Sequence, residues 1–336
     1  MIIIGLIFIS FIILVLIPFI PGAAELVRPR DSKPLYIRMD YSKDPRYFGK
    51  TFKKILKDSL RGLREGTRKV RLSKDEEVEI VVSGNIAPNS EVLTVLHVLN
   101  DITSSENVGF KKEIYVAGDA VIGKENMVRA IASDGNIRLS EGAKVIRWLD
   151  AEGNIEVDKG CDLGISASSG NELRIERNCR FKRLFGTPVI TFGLPKKKTI
   201  PAGSVEITTA KKIVTDKKRV VIPPATRVED TLILKQELEV KEDCVLMGSL
   251  KVYGNVLIGQ GVIIFGNIFS EGDIEIGEDS EVAGIIFSQK HIKIKDGVKI
   301  GNASTVKSVI GKKGIILGKN VTIYGYIMTE STGITT

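Results

Sequence analysis

The fold is decided by a phrase that returns through the second half of the chain as Gly254-Asn-Val-Leu-Ile258, Gly272-Asp-Ile-Glu-Ile276 and Lys290-His-Ile-Lys-Ile294. These copies begin 18 residues apart, and each alternates apolar with polar side chains as a short strand does. Further copies begin at Gly118, Gly135, Gly153, Gly170, Gln236 and Lys313. This period predicts an all-β parallel β-helix (β-solenoid), in which each repeat is one coil stacked about 4.8 Å from the next.

The repeats fall into two arrays, which we expect to form two solenoid stretches, at 77–193 and 220–330. A Lys-rich insertion at 194–219 separates them, and residues 331–336 are predicted to be a short tail. We expect glycine in the repeated phrase because it adopts positive φ at the corners of a coil. Three cysteines share one register position, which predicts a position for small residues along the coil: Cys161, Cys179 and Cys244. Cys161 and Cys179 could lie one coil apart, within disulfide reach, but a reducing cytoplasm disfavours a bridge.

Composition limits the chemistry that this chain of 336 residues can perform. Its two histidines exclude a three-His metal site, and three scattered cysteines exclude a disulfide framework or a zinc finger. No Ser-His-Asp, Cys-His or paired-carboxylate arrangement stands out, and Gly118–Glu125 misses the phosphate-binding loop pattern at its last position. We therefore predict no catalytic residue, cofactor or metal, and no enzyme.

The first residues predict a membrane anchor followed by a basic segment. Residues 1–22 carry no charge and are long enough to span a bilayer as a helix. A cleaved signal peptide is the alternative, although no Lys or Arg precedes the apolar stretch. Because the flanking basic residues all follow the span, we expect a single-pass protein of the inner (cytoplasmic) membrane with its C-terminal body in the cytoplasm.

The juxtamembrane segment, 23–76, contains an amphipathic helix that begins near Asp44-Pro45 and ends at Gly62 or Gly66. Between Arg28 and Lys74 the chain has 16 basic and 5 acidic residues. This surplus predicts contact with anionic lipid, while packing of the helix on the following domain is an equal alternative. The predicted membrane-surface residues are Arg28, Arg30, Lys33, Lys50, Lys53, Lys54, Lys57, Arg61 and Arg64.

Residues 254–301 resemble the bactofilins, a family of polymer-forming bacterial cytoskeletal proteins. The likeness is carried by Gly272-Asp-Ile-Glu-Ile-Gly277, Val282-Ala-Gly-Ile-Ile-Phe-Ser288 and His291-Ile-Lys-Ile-Lys-Asp-Gly297. The resemblance implies a right-handed β-helix and filaments that form without nucleotide by end-to-end stacking, often at the membrane. The chain departs from typical members in its membrane span, basic helix and interrupted double array.

The leading prediction is therefore a membrane-anchored structural scaffold that self-assembles. Its expected partners are further copies of itself, anionic lipids and unknown client proteins, but not nucleic acid. A solenoid end coil exposes unpaired backbone groups, and no capping helix follows the last repeat. We thus predict self-association there through Ile323, Tyr324, Tyr326 and Ile327. The alternatives are a hexapeptide-type acyltransferase, with His291 as its only candidate base, and an exported binding or adhesion module.

Overall fold

The computed structural model describes residues 44–62, 67–71, 76–193, 214–215 and 218–336, together with residues 5, 10–11 and 14–19. The chain divides into two compact units, 1–43 and 44–336, and the second contains the whole repeat region. Its fold is all-β, a parallel β-solenoid of about 13 turns, as the 18-residue period predicts.

A short 3₁₀ helix, Ile17–Phe19, lies in the first unit, and the single described α-helix of the second unit, α1, spans Tyr47–Ser59. The first stretch contains β1 Lys69–Arg71, β2 Glu77–Val81, β3 Gly84–Ile86, β4 Glu91–Val92, β5 Val95–Val98, β6 Ile102–Ser104, β7 Gly109–Val116, β8 Ala120–Ile122, β9 Met127–Ser133, β10 Ile137–Leu139, β11 Lys144–Ala151, β12 Ile155–Val157, β13 Ser166–Ser169, β14 Leu173–Ile175 and β15 Arg180–Thr191. The second contains β16 Val214–Thr215, β17 Arg219–Ile222, β18 Arg227–Val228, β19 Leu232–Leu234, β20 Glu237–Val240, β21 Val245–Leu246, β22 Leu250–Val252, β23 Val256–Ile258, β24 Ile263–Ile264, β25 Ile268–Ser270, β26 Ile274–Ile276, β27 Glu281–Val282, β28 Ile286–Ser288, β29 His291–Ile294, β30 Lys299–Ile300, β31 Lys307–Gly311, β32 Gly314–Leu317 and β33 Thr322–Thr335.

In the second stretch, the strands of successive coils stack in three parallel columns. The first column runs β17–β20–β23–β26–β29–β32, the second β18–β21–β24–β27–β30, and the third β19–β22–β25–β28–β31. Ile274 pairs with Ile292 after 18 residues, and Ile292 pairs with Ile315 after 23, because a loop is inserted in that coil. The inward side chains form ladders of buried Ile, Val and Leu, which make up one continuous core.

The two stretches meet through their C-terminal coils. Strand β33 completes all three columns of the second stretch and pairs antiparallel on its other side with β15, the last coil of the first stretch. The residues predicted to be a tail are therefore part of this strand, and Phe181 lies opposite Gly333. Within residues 44–336, both arrays thus end where they meet each other, and the coils that begin them lie at the two outer ends of the described solenoid.

Each described coil has one corner residue with a left-handed backbone conformation, that is, a positive φ. This residue is not the glycine of the repeated phrase. In the second stretch it falls on Ala225, Asp243, Gly261, Asp279, Gly297 and Asn320. The expectation that the phrase glycines supply positive φ is therefore wrong. At Gly135 a Cβ would lie 2.3 Å from Oδ1 of Asp119, and that oxygen accepts a hydrogen bond from the backbone N–H of Asn136. Glycine is needed there because the Asn or Asp side chain of the preceding coil occupies the space.

The residue after each left-handed corner faces inward, and the three cysteines occupy this position. Cys161, Cys179 and Cys244 are buried free thiols. Each thiol donates to a backbone carbonyl of the preceding coil, as Cys161 does to Ser140 over 3.2 Å. The hydroxyl of Ser280 makes the same kind of bond to Gly259. The position therefore selects small side chains.

Candidate functional site: the docked helix and the coil ends

Helix α1 lies on one face of the first stretch. Small side chains, Ala130 and Ala132, form the floor beneath it, and Leu56 of the helix is buried against them. The ring of Phe52 packs against Trp148, with 5.5 Å between centroids. Gly49 faces Asp150 so closely that a Cβ would lie 2.3 Å from the aspartate Cβ. The helix is therefore fitted to this face, as the packing alternative predicts.

A network of buried and half-buried charges holds the helix in place. The guanidinium of Arg46 donates to both carboxylate oxygens of Asp150, over 2.8 and 3.0 Å, and to Glu152 over 2.8 Å. Lys53 donates to Glu152 over 2.6 Å and to Asp134 over 3.1 Å. The side chain of Asp150 is 1 % exposed and that of Arg46 is 9 % exposed. A pair this deeply buried is costly to break, because the Asp150 carboxylate would keep only the Ser168 hydroxyl, at 2.8 Å, and Lys53, whose Nζ lies 3.9 Å away.

The network shifts the titration of its members. The Arg46 hydrogen bond, with help from Lys53, outweighs the opposing effect of burial and lowers the pKa of Glu152 to about 2. Burial alone would raise the pKa of Asp134, but hydrogen bonds from Tyr115 and Lys53 outweigh it and lower that pKa. Both carboxylates are consequently ionised at neutral pH and attract the basic face of the helix.

These acidic partners were not identified from the sequence. Asp134, Asp150 and Glu152 lie about 80 to 106 residues from the helix side chains that they bind. In the repeat pattern they stand at ordinary outward or turn positions, so only the folded stretch brings them together. The usable signal was the three basic residues at Arg46, Lys53 and Lys57, which fall on one helix face.

The predicted membrane-surface residues separate into three groups. Lys53 faces the solenoid and is 7 % exposed, so its side chain is not available to lipid, and Lys57 and Lys50 form ion pairs with Asp134 and Asp44. Lys54 and Arg61 are exposed, as are two apolar residues of the helix, Phe48 and Ile55. The last group lies outside the described residues: Arg28, Arg30, Lys33 and Arg64.

The predicted membrane anchor, 1–22, lies largely outside the described residues. Within the part of the chain that the structure describes, no helix is both long enough and apolar enough to cross a membrane. Most of the Lys-rich insertion also lies outside the described residues. Near its C-terminal end, β16 is described and pairs antiparallel with β17.

The predicted self-association residues do not lie at a free end. Ile323 and Ile327 are fully buried, and Tyr324 and Tyr326 are half-buried. The edge expected to be open is occupied by β15, which pairs Ile323 with Val189 and Ile327 with Leu184. The premise of an unpaired C-terminal coil is therefore wrong, because the first stretch serves as its cap.

The outer ends carry open edges instead, beside strands that are already covered: β1 pairs antiparallel with β2, and β16 pairs antiparallel with β17. Strand β3 pairs only with β6 and strand β19 only with β22 among the described residues. Gly84 donates to Asp101, and Ile86 accepts from Ser105, so both face the next coil. Peptide groups alternate along a parallel ladder, and those of Asn85 between them consequently point outward. The backbone groups of Leu232 and Leu234 make the same kind of hydrogen bonds to the next coil, so the peptide groups of Ile233 also point outward.

The two histidines occupy different surroundings. His291 is exposed at the start of β29, and its Nδ1 lies 2.9 Å from Oδ1 of Asp273. His97 stacks on Tyr115 beneath the helix at a centroid distance of 4.9 Å. Nδ1 of His97 is buried without a hydrogen-bond partner in the described part of the chain. Burial, and then the nearby Lys57, lower the His97 pKa, so its ring is neutral at pH 7.

No cluster of three or more His, Cys, Asp or Glu side chains within the described ranges could hold a metal ion. No family model, curated protein or solved structure matches this chain.

Proposed function

We propose that this chain is a membrane-anchored structural scaffold that self-assembles by end-to-end stacking of its coils, without nucleotide. The observation that carries the proposal is the pair of coil edges at β3 and β19 that have no outer partner among the described residues, where the peptide groups of Asn85 and Ile233 point away from the next coil. An unpaired edge of this kind is a template for another strand. The likeness of residues 254–301 to bactofilins supports the same role.

The anchor is the apolar segment at residues 1–22, set in the inner (cytoplasmic) membrane, and the solenoid lies on the cytoplasmic side. Helix α1 supports this arrangement because it presents two different faces. Its inner face is held to the solenoid by Arg46 and Lys53, while Phe48, Lys54 and Ile55 face outward. Apolar and basic side chains together suit the surface of an anionic bilayer.

A proline at the first outer edge tests the stacking. Asn85→Pro removes an N–H that points away from the next coil, so no hydrogen bond between described residues is lost. We expect the full chain in detergent to change from large assemblies to monomers or dimers in sedimentation velocity. The matched control, Asn85→Ala, keeps the N–H and should assemble like the unmodified chain. Large assemblies in the proline variant, or none in the unmodified chain, would overturn the proposal.

A second test separates the membrane role from the stacking role. Lys54→Glu with Arg61→Glu should weaken binding of the full chain to vesicles of phosphatidylglycerol, while leaving assembly in detergent unchanged. Vesicle binding that is unaffected by the two substitutions would remove the outer face of α1 from the proposal.

A further inference from the structure

The second stretch carries an apolar stripe along its third column, which we call the lateral stripe. It is made of the outward-facing side chains of β19, β22, β25, β28, β31 and β33. Its members follow one another in register as Ile233, Lys251, Phe269, Phe287, Ile310 and Met328. Ile233 is 67 % exposed and Phe269 is 39 % exposed. A shallow cavity of about 380 Å³ lies along the stripe, lined in part by Tyr253, Phe269 and Phe287.

The first column of the same stretch presents a different surface. There, outward side chains form ion pairs between coils, including Arg219 with Glu239 at 3.0 Å and Lys295 with Glu275 at 2.8 Å. The lateral stripe has one charge, Lys251, whose Nζ lies 5.7 Å from the ring centroid of Tyr253. A contiguous apolar surface on an otherwise charged body marks an interaction site.

This face continues into the first stretch, where it is already covered. Phe185 of β15 lies opposite Tyr326 of β33, so the face that carries the lateral stripe runs on into the face beneath α1. Helix α1 packs on β9 and β11 of this face. Two further strands stacked on β11, β13 and then β15, lie between it and β33. The same face is thus covered in the first stretch and exposed in the second, among the described residues.

We propose that the lateral stripe binds the lateral stripe of a second copy of this chain, with the order of the coils reversed. The two-fold axis lies between β25 and β28. Phe269 then meets Phe287 of the second copy, and Ile233 meets its Met328. Only the second stretches overlap in this arrangement, so α1 of each copy stays outside the contact.

The charges beside the stripe favour the reversed order. The residues two positions after the six members of the stripe are Lys235, Tyr253, Glu271, Gln289, Lys312 and Glu330. Reversal places Lys235 opposite Glu330, Tyr253 opposite Lys312 and Glu271 opposite Gln289. Neither Lys235 nor Glu330 makes an ion pair among the described residues, and both are exposed.

The opposite flank agrees with this register. It contains no charged side chain, and its members are Thr231, Ser249, Asn267, Ile285, Ser308 and Tyr326. Pairing with the coils in the same order would instead place Lys251 against Lys251, which like charges disfavour. The reversed register therefore has one complementary charge pair at each end and places no like charges directly opposite each other.

The small size of the lateral contact limits the stability of the proposed pairing. Six coils at about 4.8 Å each give a stripe on the order of 25 Å long, which is small beside a stable dimer interface. Pairing is consequently reversible and is favoured when the chains are held together on one membrane. It does not depend on the proposed end-to-end stacking, because it uses a side of the solenoid rather than its ends.

Site-specific disulfide formation tests the register directly. One full chain carries Glu271→Cys and another, with a different tag, carries Gln289→Cys, and the two are mixed in detergent and oxidised. The three native cysteines are buried and do not compete. We expect disulfides between position 271 of one copy and position 289 of the other, at a yield at least tenfold above that of 271–271 or 289–289 pairs.

A charge reversal supplies the matched control. Lys235→Glu in both chains should lower the 271–289 yield about tenfold, and adding Glu330→Lys should restore it. Equal yields of all pairs, or none, would overturn the inference, as would a loss that the second reversal does not rescue. Asn85→Pro should leave the yield unchanged, so a failure of end-to-end stacking is distinguishable from a failure of lateral pairing.

Discussion

Replacing Arg46 by methionine should detach helix α1 from the solenoid. The substitution keeps a long apolar stem but leaves the Asp150 carboxylate, which is 1 % exposed, without its bidentate partner. Removing one member of a buried ion pair costs about 3–5 kcal/mol. Complete burial of Leu56, the main apolar contact of the helix, contributes about 1.5–3 kcal/mol. The free energy lost with the ion pair is therefore at least as large as the free energy gained by burying Leu56. We expect the helix to separate from the solenoid while the coils remain folded.

Trp148 makes this event measurable, because it is the only tryptophan in the chain and packs against Phe52 of the helix. Arg46→Met should shift its emission to the red, with no loss of the strand signal in circular dichroism. Lys54→Met is the matched control, since this exposed side chain faces away from the solenoid. Adding Asp150→Leu should restore the emission, because an apolar pair replaces the ionic one without an orphaned charge. Unchanged emission in Arg46→Met would refute the role given to the ion pair.

Three further predictions concern pH and packing. The first concerns Glu152, whose pKa is lowered to about 2, and Asp134, whose pKa is also lowered. Both carboxylates therefore contribute to docking of α1 above about pH 4.5, and this contribution is lost towards pH 2. The loss should be measured as a red shift of Trp148 emission. Burial lowers the pKa of His97 below 6.5, so docking should weaken as pH falls below that value, and His97→Phe should abolish this dependence between pH 7 and 5. Gly333→Ala should lower the free energy of unfolding by about 1–3 kcal/mol, because its Cβ would lie 2.1 Å from the Phe181 ring. The control, Gly84→Ala, should change that free energy little, because the nearest atom to its Cβ would be 3.9 Å away. Equal effects of the two substitutions in urea titrations would contradict the packing of β15 on β33.

The sequence was sufficient to predict the coils because their cause is local. An inward aliphatic every two residues and a turn in each repeat determine the strand register, and Ile274 pairs with Ile292 as the 18-residue spacing requires. The position of the helix boundaries was predicted less well, since α1 begins at Tyr47 rather than at Asp44-Pro45.

Features that depend on distant contacts were not predictable in this way. The pairing of β15 with β33 is antiparallel and joins two arrays whose repeats look alike, so no spacing indicates it. The role of the phrase glycines was misassigned for a related reason. The atom that excludes a side chain at Gly135 belongs to Asp119, in the preceding coil. The partners of Arg46 likewise became apparent only when the coils were stacked.

Electron microscopy of the full chain in detergent tests the central claim, end-to-end assembly through the outer coils. A single solenoid of about 13 turns should measure on the order of 60 Å along its axis, at about 4.8 Å per turn. We predict unbranched filaments many times that length, formed without added nucleotide and shortened to one or two units by Asn85→Pro. Isolated rods of one unit at every protein concentration would contradict the account.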